Sequence, residues 1–137
     1  MSGDASTAEG AGGAAVPPAR AALAVALAWL VPGLGHGLLG RWRRGLAFGV
    51  LILGMYAVGL LLDGTLSQPR QGSWLSLLAT VADLGVGPLY VVLRSLGAGV
   101  GDVTAATHEI GNTFHWSAGI MNLLLVFDAF DVSQGRK

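Results

Sequence analysis

The side chains able to carry chemistry in this sequence are few, and their spacing decides most of what they can do. His108-Glu109 opens like a zinc-hydrolase motif, in which histidines one helical turn apart bind the metal and the glutamate between them acts as base. Here the fourth residue after His108 is Asn112, and His115 lies two turns on, about 10 Å along a helix axis and too far to share one ion. A composite of His36, Asp83, Glu109 and His115 remains as the weaker alternative, with His36 and His115 its candidate ligands; the expectation is no metal and no cofactor. Ser117, His115 and Asp128 could be drawn as a hydrolytic triad, but Ser117 lacks an exposed elbow and oxyanion donors. The chain has no cysteine, so thiolate ligands and cysteine nucleophiles are excluded. Gly97-Ala98-Gly99-Val100-Gly101 lacks the lysine and the strand-to-helix context of a phosphate cradle. These readings disfavour an enzyme.

Asp83 is the most informative polar residue because it falls inside an apolar run. An intramembrane carboxyl is costly and marks either an ion path or a buried hydrogen bond. The structural alternative, a bond to a backbone carbonyl or to Asn122, is the favoured one. At helical spacing Ser73, Ser76, Thr80, Asp83, Gly87, Tyr90 and Arg94 form one polar stripe, which must turn toward protein or water. Asp83, Tyr90 and Asn122 are therefore expected to hold helices together from within.

Four spans are expected to position these groups, at about 21–40, 45–62, 74–93 and 114–130. In the first, eleven apolar residues end at Pro32, too few to cross a layer of roughly 30 Å, so a kink or break is expected there. Gly33, Gly35, Gly37 and Gly40 make the following backbone pliable, and Arg41, Arg43 and Arg44 form a basic edge around Trp42. In the second, Gly45, Gly49, Ile52, Tyr56 and Gly59 share a face of little bulk, which a neighbouring helix can approach closely. Pro88 should bend the third. In the fourth, His108, Gly111, His115, Ala118 and Asn122 follow the same rhythm. Residues 1–20 read as a disordered Ala/Gly-rich arm, cleavable signal unlike, and 132–137 as a short polar tail.

Composition points the same way. The 137 residues are 53% hydrophobic and 12% charged, with 22 glycines and a mean hydropathy of +0.62, outside the range of ordinary water-soluble domains. Eight basic and eight acidic residues cancel, leaving no field to attract nucleic acid. Four complete crossings would put Arg41 to Arg44 and Arg94 on one side and Arg20, Arg70, Arg136 and Lys137 on the other, four against four. The density of arginine in the Arg41–Arg44 loop then favours placing that loop in the cytoplasm. If the broken first segment dips in and returns, the amino terminus moves to the same side.

Two stretches resemble the uncharacterised bacterial membrane family called domain of unknown function 6677. One runs from Ala28 through Pro32, Gly33, Gly35, His36, Gly40 and Arg41 to Arg43-Arg44-Gly45. The other runs from His108 through Glu109, Gly111, Gly119 and Asn122 to Asp128. The Pro-Gly-Leu-Gly-His element also resembles two-helix membrane hairpins in general. The resemblance implies a membrane location, covers about 21–131, and carries no assigned activity.

The reading is an all-α membrane protein, a bundle of about four transmembrane helices with the first broken at Pro32. It is expected to act as a structural or assembly component of the bacterial inner membrane, partnered by lipid and by a second copy or a larger membrane protein. A transporter or channel subunit using Asp83 is the first alternative, and a metal-dependent membrane hydrolase the second.

Overall fold

A computed structural model describes residues 14–136; most of the expected amino-terminal arm, and Lys137 of the expected tail, lie outside the described residues. The regular structure of the described residues is all helix: α1 (Pro18–Leu30), α2 (Leu34–Leu38), α3 (Trp42–Leu61), α4 (Trp74–Leu84), α5 (Pro88–Ser95) and α6 (His108–Ser133). Two of these, α3 and α6, are each long and apolar enough to cross a membrane, and α4 with α5 make a third candidate if the bent pair is one span.

The first helix starts at Pro18, where a missing N–H costs nothing, and stops at Val31, whose extended backbone (φ −137°, ψ 118°) is what a following proline imposes. The chain then turns back. Gly35 of α2 packs on Ala24 and Ala28 of α1, and Arg20 Nη2 donates to the Leu38 carbonyl at 2.7 Å. The segment expected to cross as one kinked span therefore enters and leaves at the same end, which we call the arginine end. Its tip lies against α3, with Pro32 at Gly49 and Gly33 at Gly45.

The buried face of α3 is Gly45, Gly49, Ile52, Tyr56 and Gly59, the face indexed from the sequence. It runs antiparallel to α6: Gly59 touches Gly111 and His115, while Arg44 at the opposite end shares a cleft with Asp128. The third span, expected to bend at Pro88, is sharply bent. It breaks over Gly85 to Gly87, and α4 and α5 meet at 104°. Gly87 has φ +70° and lies against the Trp29 carbonyl, so both the backbone conformation and the space require glycine. The far end of α5 returns to the level of Asp63, where Leu66 N–H donates to the Gly99 carbonyl at 2.8 Å. A hairpin followed by a long helix thus occurs twice with opposite sense, and the two hairpin tips touch at Trp29 and Gly87. Of the four crossings expected from the sequence, α3 and α6 are each long and apolar enough to span, the bent α4–α5 pair is a third candidate, and α1 with α2 turns back at Pro32. The boundaries move accordingly: α3 takes in Trp42, Arg43 and Arg44, while α6 begins at His108 and absorbs Val132 and Ser133 of the expected tail.

The polarity of the molecule is inverted. His36, Asp83, His115 and Asn122 are fully buried, whereas Leu61 is 81% and Phe127 66% exposed. The apolar core is small, centred on Ile52, Tyr56, Leu66, Val86, Tyr90, Ala118 and Leu125.

Candidate functional site

The richest concentration of side-chain hydrogen bonds surrounds a segment with no regular structure. Residues 63–67 link α3 to α4 outside any helix; Asp63, Gly64 and Leu66 donate their N–H groups to backbone carbonyls, and side chains satisfy much of the rest. Asp83 Oδ2 accepts from Ser67 N–H at 2.7 Å, Asn112 Oδ1 from Thr65 N–H at 2.7 Å, and Tyr90 Oη donates to the Ser67 carbonyl at 2.6 Å. Trp116 Nε1 donates to Ser67 Oγ at 3.1 Å, and Arg94 Nη1 reaches the Leu66 carbonyl at 3.4 Å. Between these contacts Leu66 is pushed into the core and is fully buried. The clamp draws on α4, α5 and α6 together, which a straight third span could not supply.

His108 closes one end of the clamp. Its Nδ1 lies 2.7 Å from the Asp63 carbonyl, which can only accept, so Nδ1 carries the proton. Nε2 then accepts from Asn112 Nδ2 at 3.1 Å and from Thr65 Oγ1 at 3.3 Å. The single Nε2 lone pair is shared between these two donors, and the network ties the segment to α6.

Closer to the middle of the bundle, Asn122 Nδ2 donates to the Gly85 carbonyl at 2.8 Å, one of the carbonyls at the α4–α5 break. Asp83 and Asn122 do not bond each other; each serves irregular backbone instead. The Tyr56 and His115 rings lie 4.7 Å apart, tilted by 42°. Tyr56 Oη, both His115 nitrogens, Asp83 Oδ1, Asn122 Oδ1 and His36 Nδ1 are buried and meet no protein partner at hydrogen-bond geometry. So many incompletely satisfied polar atoms inside one small bundle call for an explanation.

At the arginine end, His36 Nε2 lies 2.9 Å from Asp128 Oδ2, joining the first hairpin to α6. Gly40 closes α2 with φ +78°, and Arg43 and Arg44 are exposed in the first turn of α3. Glu109 is exposed in the first turn of α6, where a carboxylate complements the helix dipole. Gly111 and Gly119 let α6 approach Gly64 and Ala82.

The composite metal site does not form. His36 pairs with Asp128, Asp83 holds Ser67, Glu109 is on the surface and His115 stacks on Tyr56. Among the described residues no three His, Cys, Asp or Glu side chains gather to hold an ion. The Ser117, His115 and Asp128 triad is likewise dispersed, since Asp128 lies thirteen positions beyond His115 on α6, about 20 Å along its axis. Sequence reasoning missed Thr65, Ser67, Asn112 and Trp116 as clamp residues. The available signal was Leu66, an apolar residue isolated in a polar loop, facing helices whose inner polar groups needed partners.

Comparison with curated proteins and with solved structures returns no match. A family profile does match, over residues 23–137, from within α1 through the second hairpin, both long helices and the clamp: the chain belongs to the family of unknown function DUF6677.

Proposed function

We propose that the protein is an integral component of the bacterial cytoplasmic membrane with a structural, assembly-type role, in which two crossing helices carry two re-entrant hairpins that enter from opposite faces. The observation that supports this is the inverted polarity: large apolar side chains cover the outside while His36, Asp83, His115 and Asn122 are sealed within. The clamp supports a scaffold role, because its hydrogen bonds are spent on fixing the protein's own backbone. The apolar exterior, including Leu61, Trp74, Leu75 and Phe127, offers a face to lipid, to a second copy or to a larger membrane partner.

Re-entrant hairpins also change the charge count that sets orientation. Arg20, Arg41, Arg43, Arg44 and Arg136 gather at the arginine end, against Arg70 and Arg94 at the other, so the excess of arginine favours a cytoplasmic arginine end. The native chain lacks cysteine, which makes the test direct. Single replacements Ala14→Cys, Trp42→Cys and Gln71→Cys are treated in intact cells with an impermeant maleimide. The proposal expects Gln71→Cys alone to react before permeabilisation. Four complete crossings would instead put Ala14→Cys and Trp42→Cys on opposite sides, and that result refutes the proposed topology.

A second reading, a transporter or channel subunit, is favoured by one observation, the unpartnered polar atoms of Tyr56, Asp83, His115 and Asn122 between two inverted halves. It predicts ion flux in proteoliposomes that Asp83→Asn abolishes.

A further inference from the structure

At His108 a single proton changes the bonding of the clamp. Its Nδ1–H is committed to the Asp63 carbonyl at 2.7 Å, so the neutral ring presents its lone pair at Nε2, to Asn112 Nδ2 at 3.1 Å and Thr65 Oγ1 at 3.3 Å. Asn112 cannot turn to suit a proton there. Its Oδ1 already accepts from Thr65 N–H at 2.7 Å, and a flip would set the Nδ2 donor against that amide. We propose that His108, Asn112 and Thr65 form an acid-sensitive latch: proton uptake at His108 Nε2 releases Thr65 from α6, while Asp63 and Ser67 on either side of it stay held.

Geometry sets the direction of the response. An N–H on Nε2 faces the Asn112 amide donor at 3.1 Å, and the Thr65 hydroxyl, which can rotate to accept, lies farther off at 3.3 Å. Asn112 must therefore flip or move, and either motion gives up the Thr65 N–H. The latched state holds the neutral ring and the released state admits both forms, so release takes up a proton and is favoured as pH falls. The Nδ1 bond to Asp63 survives in both forms, and Asp83 and Tyr90 still hold Ser67, which confines the change to Thr65 and Asn112. Protons have a route to the ring: Thr65, His108 and Asn112 line a cleft of about 480 Å³ at the end opposite the arginine end. The charged groups around the imidazole come from three elements. The linker brings Asp63, whose side chain is exposed, and Arg70, which lines the same cleft; the loop before α6 brings Asp102 within electrostatic reach; and α6 itself adds the exposed Glu109. On α5, Arg94 reaches the Leu66 carbonyl. An imidazolium at this place has carboxylates nearby as counter-charges.

The test uses full-length, nitrogen-15-labelled protein in detergent micelles. The ring nitrogen resonances of His108 read its charge, and amide exchange corrected for the intrinsic rate at each pH reads local protection. As the ring gains its proton between about pH 8 and 5, protection of the Thr65 amide should fall about tenfold, the scale of one lost hydrogen bond, while that of Ser67 holds. His108→Gln should remove the response. Asn112→Asp offers carboxylate oxygens to both Thr65 N–H and a protonated Nε2, so in that variant Thr65 should keep or gain protection as pH falls. The Asn112→Asp comparison decides the matter even where His108→Gln fails to fold. Four results would overturn the latch: Thr65 protection that stays constant while the ring titrates, a ring that stays neutral down to about pH 5, a response that persists in His108→Gln and so belongs to His36 or His115, or an Asn112→Asp chain that loosens with acid as the native one does.

Discussion

Replacing Asp83 tests whether its carboxyl serves chiefly to hold the 63–67 segment. The bond from Ser67 N–H is 2.7 Å long and the carboxyl is fully buried, so it contributes about 1–2 kcal/mol. Asp83→Ala removes that bond and leaves the Ser67 N–H stranded, for a total loss of about 3 kcal/mol. Asp83→Asn keeps an acceptor oxygen in the same place and should lose only about 1 kcal/mol. Because Tyr90 donates to the carbonyl of the same residue, the two contacts should be coupled, and a cycle with Tyr90→Phe is expected to show an interaction of at least about 0.5 kcal/mol. The assay is unfolding in mixed micelles by titration with a denaturing detergent, followed by tryptophan fluorescence, with exchange at the Ser67 amide as a local readout. If Asp83→Ala and Asp83→Asn unfold together and Ser67 stays equally protected, the carboxyl does not hold the segment and the clamp argument fails.

Other expectations follow from packing, topology and charge. Gly119→Ala places a methyl against the Ala82 backbone and should destabilise the bundle by about 1–3 kcal/mol, whereas Gly54→Ala, which meets nothing, should leave stability unchanged or raised; equal effects would refute the close approach of α4 and α6. Thr104 hydrogen-bonds the exposed Asp102 carboxyl through its hydroxyl at 2.6 Å and its amide at 2.8 Å and holds it below its usual range. A lowered folded-state value means the turn is stabilised above the ordinary carboxylate range and loses that stabilisation as pH falls through the folded value. The Thr104 amide resonance should therefore be constant from pH 7 to about 5 and move only below about pH 4; movement in the neutral range would contradict the assignment.

Much of the interior was legible because small and polar residues recur at three and four. The buried faces of α3 and α6 are those that Gly45, Gly49, Ile52, Tyr56, Gly59 and His108, Gly111, His115, Ala118, Asn122 define in the sequence. The path of the chain between them was not legible. Hydropathy records how much apolar surface a segment carries and not which way it leaves, so a hairpin that returns reads like a helix that crosses. Pro32 and Pro88 marked both breaks, but the 104° bend brings Gly87 against the Trp29 carbonyl, a contact between residues far apart in sequence. The clamp was hidden for the same reason: Ser67 meets Asp83, Tyr90 and Trp116 only after both hairpins have folded.

The hairpins explain some of the buried polar groups, and the remainder separates the two functional readings. A helix that breaks leaves carbonyls without intrahelical donors, and Asn122 answers one of them at Gly85. Asp83 Oδ2 and Tyr90 Oη are accounted for by Ser67, whereas Asp83 Oδ1 meets no protein partner. The Tyr56 hydroxyl answers nothing: it is buried against His115 with no protein partner. In a scaffold that hydroxyl is a cost, so Tyr56→Phe, which keeps the ring contact, should leave stability unchanged or raise it by about 1 kcal/mol. In a transporter the same hydroxyl belongs to the path, and its removal should slow flux in proteoliposomes without unfolding the protein. Tyr56→Phe protein that is at least as stable as the native chain, with neither carrying flux above empty vesicles, is the outcome the scaffold reading requires. Flux present in the native chain and lost in the variant would refute that reading and assign the interior to transport.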